Sequence, residues 1–359
     1  MRIDELEIRD FRNLGSVSLR PSPGINVIYG ENAQGKTNLI EAIWMCSGMK
    51  SFRGAKDHEM IAFGASRARI KLRYFDGSRE NVAELGVEAK RTAKINGVAL
   101  PSPAGMIGKF RAVVFYPSFL SIVQEGPAGR RRFMDAAICQ LYPVYAQLLS
   151  EYSRLLRQRG ALLKDVRMES ALLDMLDVLD ERMGVCAEKI TERRLTYLKL
   201  LSPFASEIYA GISAGREEIG FRYLKKGEEG EASYLELLKK NRKADILNKT
   251  TSVGPHRDDI EICVNGLSAR TYGSQGQQRS CALALKLAEA SVIRAETGAS
   301  PVTLLDDVMS ELDAGRQDYV LNHIGDRQVF ITCCDPASVG RLTGGGRIAV
   351  SGGVLTPDT

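Results

Sequence analysis

Short apolar runs bounded by turn residues dominate the first third of the chain and predict β-strands. Apolar or β-branched stretches of strand length cover the ranges 2–9, 25–29, 69–75, 82–89 and 111–115. Asn96-Gly97 lies between two further such stretches and is a strong hairpin signal. We expect these strands to form one mixed sheet.

From about residue 127 to 204 the apolar spacing changes to that of amphipathic helices. Side chains recur every three or four positions at Leu148, Leu149, Tyr152, Leu155 and Leu156, and again at Leu172, Leu173, Leu176, Leu179 and Met183. Helices of roughly 30 residues would span about 45 Å, enough for a short arm. Another long helix is predicted from Ser280 to Glu296, and a second hairpin at Asn265-Gly266.

These patterns predict an α/β protein with two lobes. Lobe I would combine residues 1–126 with residues 298–359. Lobe II, largely helical and carrying the short arm, would consist of residues 127–297.

A phosphate-binding loop follows the predicted strand 25–29. The pattern G-x-x-x-x-G-K-T, called Walker A, is formed by Gly30-Glu31-Asn32-Ala33-Gln34-Gly35-Lys36-Thr37. Its glycines permit a tight turn with N–H groups facing phosphates, and the N-terminus of the next helix favours anions. We expect these residues to bind ATP, Lys36 to act on its β- and γ-phosphates, and Thr37 to ligate Mg²⁺.

A second buried strand, 302–305, is followed directly by Asp306 and Asp307. Carboxylates at the carboxyl end of such a strand lie beside the phosphate loop. Two of them suit separate tasks, so we expect Asp306 to hold Mg²⁺ and Asp307 to orient the attacking water as the catalytic carboxylate.

About 270 residues separate Thr37 from Asp306, which indicates an ATPase domain interrupted by a large insertion. The segment Ser274-Gln275-Gly276-Gln277-Gln278-Arg279 is similar to the signature of ABC-type ATPases, and Ser310-Glu311-Leu312-Asp313 is similar to their D-loop. Alone, the first segment is explained by a helix N-cap. The resemblance implies that Ser274 to Gln277 contact the γ-phosphate on a partner subunit, in an ATP-sandwiched homodimer.

Further segments resemble one family more narrowly. They are Phe11–Leu14, Phe115–Pro117, Gly126–Asp135, Gly254–Asp259 and Leu305–Asp313. Together they resemble the RecF family of DNA replication and repair proteins. The resemblance implies Arg12 and Asn13 as nucleotide-binding residues, slow DNA-dependent ATP hydrolysis, and ATP-dependent dimerisation on double-stranded DNA beside single-stranded gaps. It also implies RecR as a partner, acting with RecO to load RecA.

The chain departs from related patterns at several positions. Ser118-Phe119 stands where this family usually has Glu-Asp. Thr332 follows the last core strand, where transporters and SMC proteins place a histidine that senses γ-phosphate; RecF proteins are similar in using threonine. Gln124 lies near the Q-loop position without a firm assignment. The roles of His256 and Arg257 stay open.

The net charge of +5 is compatible with DNA binding without proving it. The densest basic run, Arg130 to Arg132, is either a solvated helical face or a phosphate-contacting stripe. No run approaches the roughly 20 apolar residues of a membrane span, so we expect a cytoplasmic protein without membrane contact.

The alternative function is an ABC-type nucleotide-binding engine coupled to a partner other than DNA. A GTPase is disfavoured because residues 248–251 lack the acidic fourth residue that reads guanine. A protein kinase is disfavoured because no His-Arg-Asp catalytic loop is present.

Overall fold

A computed structural model describes residues 1–165, 172–227, 232–335 and 345–358. The chain divides into two compact units. Unit 1 comprises Met1–Ser121, Glu207–Arg216 and Arg279–Thr359, and unit 2 comprises Ile122–Ser206 and Glu217–Gln278. The boundaries expected at residues 126 and 297 therefore differ from those of the compact units, and the segment 207–216 belongs to unit 1.

Strands and helices are numbered in chain order. The strands are β1 Arg2–Phe11, β2 Leu14–Leu19, β3 Ile25–Tyr29, β4 Ala68–Phe75, β5 Glu80–Val87, β6 Arg91–Ile95, β7 Val98–Ala99, β8 Ala112–Phe115, β9 Ile219–Leu224, β10 Asp259–Val264, β11 Leu267–Ser268, β12 Val302–Leu305, β13 Val329–Cys333, β14 Gly346–Ser351 and β15 Val354–Asp358. The helices are α1 Lys36–Met45, α2 Pro127–Leu141, α3 Pro143–Asp165, α4 Leu172–Ile212, α5 Tyr234–Asn248, α6 Ala269–Tyr272, α7 Gln275–Thr297 and α8 Ala314–Ile324.

Among the described residues unit 1 contains two sheets, so the expectation that all the early strands share one sheet is wrong, while the sheet that contains β3 is mixed as predicted. An antiparallel sheet has the order β2-β1-β4-β5-β6-β7, and a second sheet has the order β15-β14-β3-β13-β12-β8. In the second sheet β14, β3, β13, β12 and β8 are parallel, with β15 antiparallel at one edge. β4 and β5 alternate between more and less buried side chains, whereas β8, β12 and β13 are buried along their whole length. Continuous burial is typical of parallel strands that are covered on both faces. The burial pattern of the strands therefore distinguishes the parallel sheet from the antiparallel one.

Both predicted hairpins are confirmed. The turn between β6 and β7 has Asn96 at φ 51° and Gly97 at φ 80°; the turn between β10 and β11 has Asn265 at φ 50° and Gly266 at φ 79°. Two consecutive positive φ angles define a type I′ turn, which suits the twist of two adjacent antiparallel strands.

Unit 2 combines helices with a small antiparallel sheet of order β11-β10-β9. β9 was not predicted. α4 continues through Pro203 to Ile212, beyond the predicted end at 204, and its 41 residues would span about 60 Å. The side chain of Leu172, counted in the predicted helical pattern, lies outside the described residues. Across the described ranges, no helix has both the length and the apolar character required to cross a bilayer.

Candidate nucleotide site

The Walker A loop connects β3 to α1, and its glycines are required by geometry. Gly30 and Gly35 have φ angles of 152° and 119°, which side-chain-bearing residues rarely adopt. A Cβ at Gly30 would lie 2.2 Å from the carbonyl oxygen of Val350, and one at Gly35 would lie 2.8 Å from Oδ1 of Asn13. The turn is therefore open only to glycine at these two positions, as the sequence pattern predicted.

Lys36 is buried at the start of α1. Its ammonium donates to the carbonyl oxygens of Gly30 at 2.5 Å and Glu31 at 2.8 Å. The first turn of α1 contains no acidic residue. A fixed cation inside the loop, combined with the positive end of the helix dipole, makes this a site for an anion.

Thr37 and Asp306 meet although 269 positions separate them. The Thr37 hydroxyl donates to Oδ1 of Asp306 at 2.9 Å. Thr332 donates to the same oxygen at 3.1 Å and accepts the backbone N–H of Asp307 at 2.8 Å. One buried threonine thus ties both Walker B carboxylate residues to the end of β13. The sequence pattern predicted the Thr37–Asp306 neighbourhood but assigned no such tie to Thr332.

The two carboxylates differ in their surroundings. Burial raises the pKa of Asp306, while the Thr37 and Thr332 hydroxyls oppose that rise. Within the described ranges Asp306 forms no ion pair with a basic side chain. Asp307 is less buried and has a φ of 51°, and its carbonyl accepts the Ser310 hydroxyl at 2.8 Å. A non-glycine residue in this conformation is a strained position of the kind found at functional sites.

The donor set at this point fits Mg²⁺. A threonine hydroxyl and a carboxylate without a cationic partner are hard oxygen ligands, which Mg²⁺ prefers. Thr37 and Asp306 are the two residues expected to hold the metal. Their side chains are already within hydrogen-bonding distance of each other.

The turn between β14 and β15 holds the middle of the loop. The N–H of Gly352 donates to the side-chain oxygen of Gln34 at 2.6 Å. The N–H of Gly353 donates to the backbone carbonyl of Gln34 at 3.0 Å. Asn32 accepts the thiol of Cys334 at 3.1 Å. This support was not predicted, although Gly352-Gly353 between two apolar stretches is a recognisable hairpin signal.

Arg12 and Asn13 contact the Walker A segment in different ways. Asn13 donates to the carbonyl of Ala33 at 3.4 Å. Arg12 pairs bidentately with buried Glu41 of α1, at 2.6 and 3.0 Å. The guanidinium of Arg12 is therefore bound to α1. A direct contact between Arg12 and nucleotide stays a prediction.

Arg53 is a further residue near this site that the sequence did not single out. It donates to the side chain of Asn38 at 3.0 Å. Its charge also opposes the burial-driven rise in the pKa of Asp306.

The signature segment begins α7. The predicted helix start at Ser280 is wrong, since α7 begins at Gln275. Gln277 donates its N–H to the Ser274 hydroxyl at 3.2 Å, and its side chain accepts the Ser274 N–H at 2.7 Å. This reciprocal pair is a capping box, which explains the polar residues at this helix start. Gly276 lies within the same first turn.

The last two residues of the signature form hydrogen bonds with other segments. Gln124 donates to the side chain of Gln278 at 2.6 Å, so Gln124 lies against the signature within unit 2. Arg279 donates to the carbonyl of Glu311 in the D-loop at 2.7 Å, within unit 1. The Walker residues belong to unit 1, whereas Ser274 to Gln278 belong to unit 2.

The basic run at the start of α2 does not form one continuous surface. Arg130 is buried, pairs bidentately with Asp259 at 2.8 and 2.9 Å, and donates to three backbone carbonyls. Arg131 is partly buried and donates to the carbonyl of Asp258 at 2.6 Å. Arg132 is exposed. A helix presents consecutive residues in different directions, so the run divides into separate roles.

The Ser118-Phe119 departure has a packing consequence. Phe119 is buried, and its ring lies 4.6 Å from the ammonium of buried Lys286. An aromatic ring therefore faces this cation where the family resemblance predicts an acidic residue.

Comparisons with known proteins agree with this geometry. The model of the RecF/RecN/SMC N-terminal domain family matches residues 2–341. The DNA replication and repair protein RecF of Clostridium perfringens is 39% identical over 338 residues, covering 93% of each chain. RecF of Acetivibrio thermocellus is 37% identical over 345 residues, covering 93% of this chain and 94% of its own.

Solved structures show the same architecture. The structure of the recombination mediator protein RecF with ATP in the RecFOR pathway superposes with a TM-score of 0.92 at 34% identity, covering 100% of this chain and 98% of that one. The Smc head domain of Pyrococcus furiosus, at 17% identity and a TM-score of 0.56, shares the fold. The predicted α/β head of ABC type is confirmed. With its Walker loop, its carboxylates and these relatives, the chain belongs to the RecF family of ATP-binding DNA replication and repair proteins.

Proposed function

We propose that this chain binds Mg-ATP at the Walker loop and that ATP joins two copies into a homodimer, with two nucleotides between them. The observation that carries the proposal is the cluster in which the Thr37 and Thr332 hydroxyls hold Asp306 in the unit that also contains Lys36. Such a cluster is a phosphate and Mg²⁺ site rather than a structural ion pair.

Each residue of the cluster has a separate task. Lys36 and the backbone of Gly30 to Gly35 bind the β- and γ-phosphates, while Thr37 and Asp306 hold the metal. Bound Mg²⁺ would neutralise charge on the phosphates. Asp307 orients the attacking water, and its backbone is held for that purpose by Thr332 and Ser310.

The signature supports assembly across two subunits. The Ser274 hydroxyl accepts one hydrogen bond as the N-cap of α7, which leaves its own hydrogen able to donate to a phosphate oxygen. Ser274 is exposed, and the first turn of α7 contains no acidic residue. The exposed N-terminus of a helix favours an anion. One chain thus offers two phosphate-binding ends, and a twofold dimer would use both.

Family membership supports the DNA partner. The solved relative is titled a recombination mediator of the RecFOR pathway. We propose that the dimer forms on double-stranded DNA beside single-stranded gaps and acts with RecO and RecR to load RecA. Hydrolysis is slow and DNA-dependent in this proposal, because Thr332 occupies the place where a γ-phosphate-sensing histidine would act.

Two variants test the shared site. Lys36→Met removes the fixed cation of the loop, so ATP binding and dimerisation should both be lost. Ser274→Arg should leave ATP binding by the monomer intact while abolishing dimer and hydrolysis. A mixture of the two pairs one intact loop with one intact signature, so mixed dimers should recover part of the ATPase rate. Calorimetry, gel filtration and phosphate release measure these outcomes.

The controls separate the alternatives. If mixed dimers form and remain as inactive as either variant alone, either the signature does not act across the interface or catalysis needs both sites together. Gel filtration with gapped DNA, with and without ATP, distinguishes a DNA clamp from an engine with another partner. An ATP-dependent dimer that ignores DNA would favour the engine.

A further inference from the structure

Two segments that carry the family resemblance meet around one cavity in unit 2. Gly126–Asp135 contributes the start of α2, and Gly254–Asp259 contributes the loop that leads into β10. The cavity measures about 250 Å³, and its lining includes Ala128, Arg131, Arg132, Tyr152, Arg194 and His256. The nucleotide site described above uses neither segment.

One wall of the cavity is electrically balanced. Arg194 pairs bidentately with Asp135 at 2.9 and 3.0 Å and donates to the carbonyl of Pro255 at 2.7 Å. Tyr145 donates to the same aspartate at 2.7 Å. Because these partners satisfy each other, the pair adds structure to the cavity and no net charge.

His256 also adds no charge. Its Nδ1 accepts from the Tyr152 hydroxyl at 2.8 Å, and its Nε2 donates to the carbonyl of Thr251 at 3.2 Å. The carbonyl can only accept, so Nε2 carries a hydrogen. Burial lowers the pKa of His256 to about 4, which keeps the ring neutral at pH 7.

Two arginines on the cavity form no ion pair in the described part of the chain. Arg131 donates to the carbonyl of Asp258 at 2.6 Å, which is a dipole and not a full negative charge. Arg132 is exposed. Burial, and next the charge of Arg194, lower the pKa of Arg131, while the carboxylates of Asp259, Asp135 and Asp258 oppose that change. Because Asp259 and Asp135 are paired with Arg130 and Arg194, positive charge remains on this side of the cavity, and a bound anion would offset it.

We propose that this cavity is a second phosphate-binding site, which takes one phosphate group through Arg131 and Arg132. Guanidinium groups match the oxygens of a phosphate in geometry as well as charge. The cavity is smaller than the roughly 300–1,000 Å³ of pockets that enclose whole drug-sized ligands, so it suits a single phosphate group. The phosphate group would come either from a DNA strand or from a free phosphate ion. The first possibility rests on the proposed function, and the second does not.

The first experiment titrates inorganic phosphate into the full chain by calorimetry. Lys36→Met is the parent, so that the Walker loop does not contribute. Adding Arg131→Gln with Arg132→Gln should weaken phosphate binding at least ten-fold. Ala128→Leu fills the cavity without changing charge and should weaken it similarly. Arg157→Gln is the matched control, because Arg157 is exposed on α3 and lies outside the cavity lining; phosphate affinity should stay unchanged.

The second experiment measures binding of gapped duplex DNA at several salt concentrations, with Lys36 intact. If the phosphate comes from DNA, the Arg131→Gln, Arg132→Gln variant should reduce the slope of log affinity against log salt by about one to two. Phosphate binding with an unchanged slope would assign the site to a free phosphate ion.

The proposal is overturned if the arginine and Ala128 variants bind phosphate as their parent does and the arginine variant keeps the salt dependence of the unmodified chain for gapped DNA. If the unmodified chain does not bind gapped DNA at all, the proposed function fails, and the phosphate titration still decides the cavity.

Discussion

The chain contains two Asp-Asp pairs that look alike in sequence and serve different ends in the two units. In unit 1 Oδ1 of Asp306 accepts hydrogen bonds from the hydroxyls of Thr37 and Thr332. In unit 2 Asp258 accepts from the Tyr223 hydroxyl at 2.8 Å, the Tyr234 hydroxyl and the N–H of Lys226, while Asp259 pairs with Arg130. Asp306 has two hydroxyl donors on one oxygen and no cationic partner among the described residues, which suits a metal ligand, whereas Asp258 is satisfied by three donors and Asp259 by a guanidinium, which suits a role in holding the fold together.

The same contrast extends to the two cores. Unit 1 packs its sheets and α1 around an apolar cluster that includes Leu6, Ile40, Leu72 and Phe330. In unit 2 the fully buried Arg159 joins three helices, bonding to Asp180 at 2.6 Å and Asp245 at 2.7 Å. Buried charged groups therefore belong to the candidate nucleotide site in unit 1, whereas in unit 2 they hold helices together.

Replacing Arg159 should give the largest effect. Arg159→Leu leaves two buried carboxylates without this partner, and breaking a buried ion pair costs about 3–5 kcal/mol of unfolding free energy. Arg157→Leu, on the exposed side of the same helix, should change it by less than about 0.5 kcal/mol. Urea unfolding compares the two. Equal stability of the two variants would show that the network is not what holds α3, α4 and α5.

Acid should weaken unit 2 through His256. The pKa of His256 is lowered to about 4, against about 6.5 in an unfolded chain, so the unfolded chain takes up the proton first as pH falls. The stability contributed by neutral His256 is complete above about pH 6.5 and is lost as pH falls towards 4, by up to about 3 kcal/mol.

His256→Gln isolates this contribution. The difference in urea stability between the unmodified chain and the variant should shrink from pH 7 to pH 4.5. A difference that stays constant over this range would mean that His256 is not held neutral.

Matched aspartate variants should give the smallest effects, and they test the difference between the two Asp-Asp pairs directly. Asp258→Asn should lower stability by about 2 kcal/mol, since hydrogen bonds to a buried charge are weakened, and should leave ATP binding unchanged. Asp306→Asn should keep stability within about 0.5 kcal/mol and lower Mg-ATP affinity at least ten-fold, because a metal ligand is lost. Calorimetry and urea unfolding on both proteins check this. Loss of both properties in both variants would erase the distinction between the units.

Local elements were well predicted from the sequence. β3 and β12 have the predicted ends, and α1 follows the loop where expected. These elements depend on neighbouring residues: a buried strand, a glycine turn and a helix start. The division of strands into two sheets was missed, because the periodicity of one strand does not state which strand it pairs with.

Hydrogen bonds and ion pairs between side chains were the part of the structure that the sequence predicted least well. Arg130, Arg131 and Arg132 form one basic run in the sequence, but the helix turns them into a buried ion pair, a cavity residue and an exposed charge. Thr332 was noted only as a missing histidine, and its bond to both Walker B residues required the parallel pairing of β12 and β13.

The amino-acid sequence was enough to place the phosphate loop, the buried strands around it and the family, because glycine geometry, hydrophobic runs and motif spacing are local properties of the chain. Which charged side chains belong to the nucleotide site and which hold the fold together depends on contacts between distant segments. Thr37 reaches Asp306 across 269 positions, and Arg130 reaches Asp259 across 129. Whether a carboxylate receives a hydroxyl or a guanidinium depends on which elements pack together, and no local pattern contains that information.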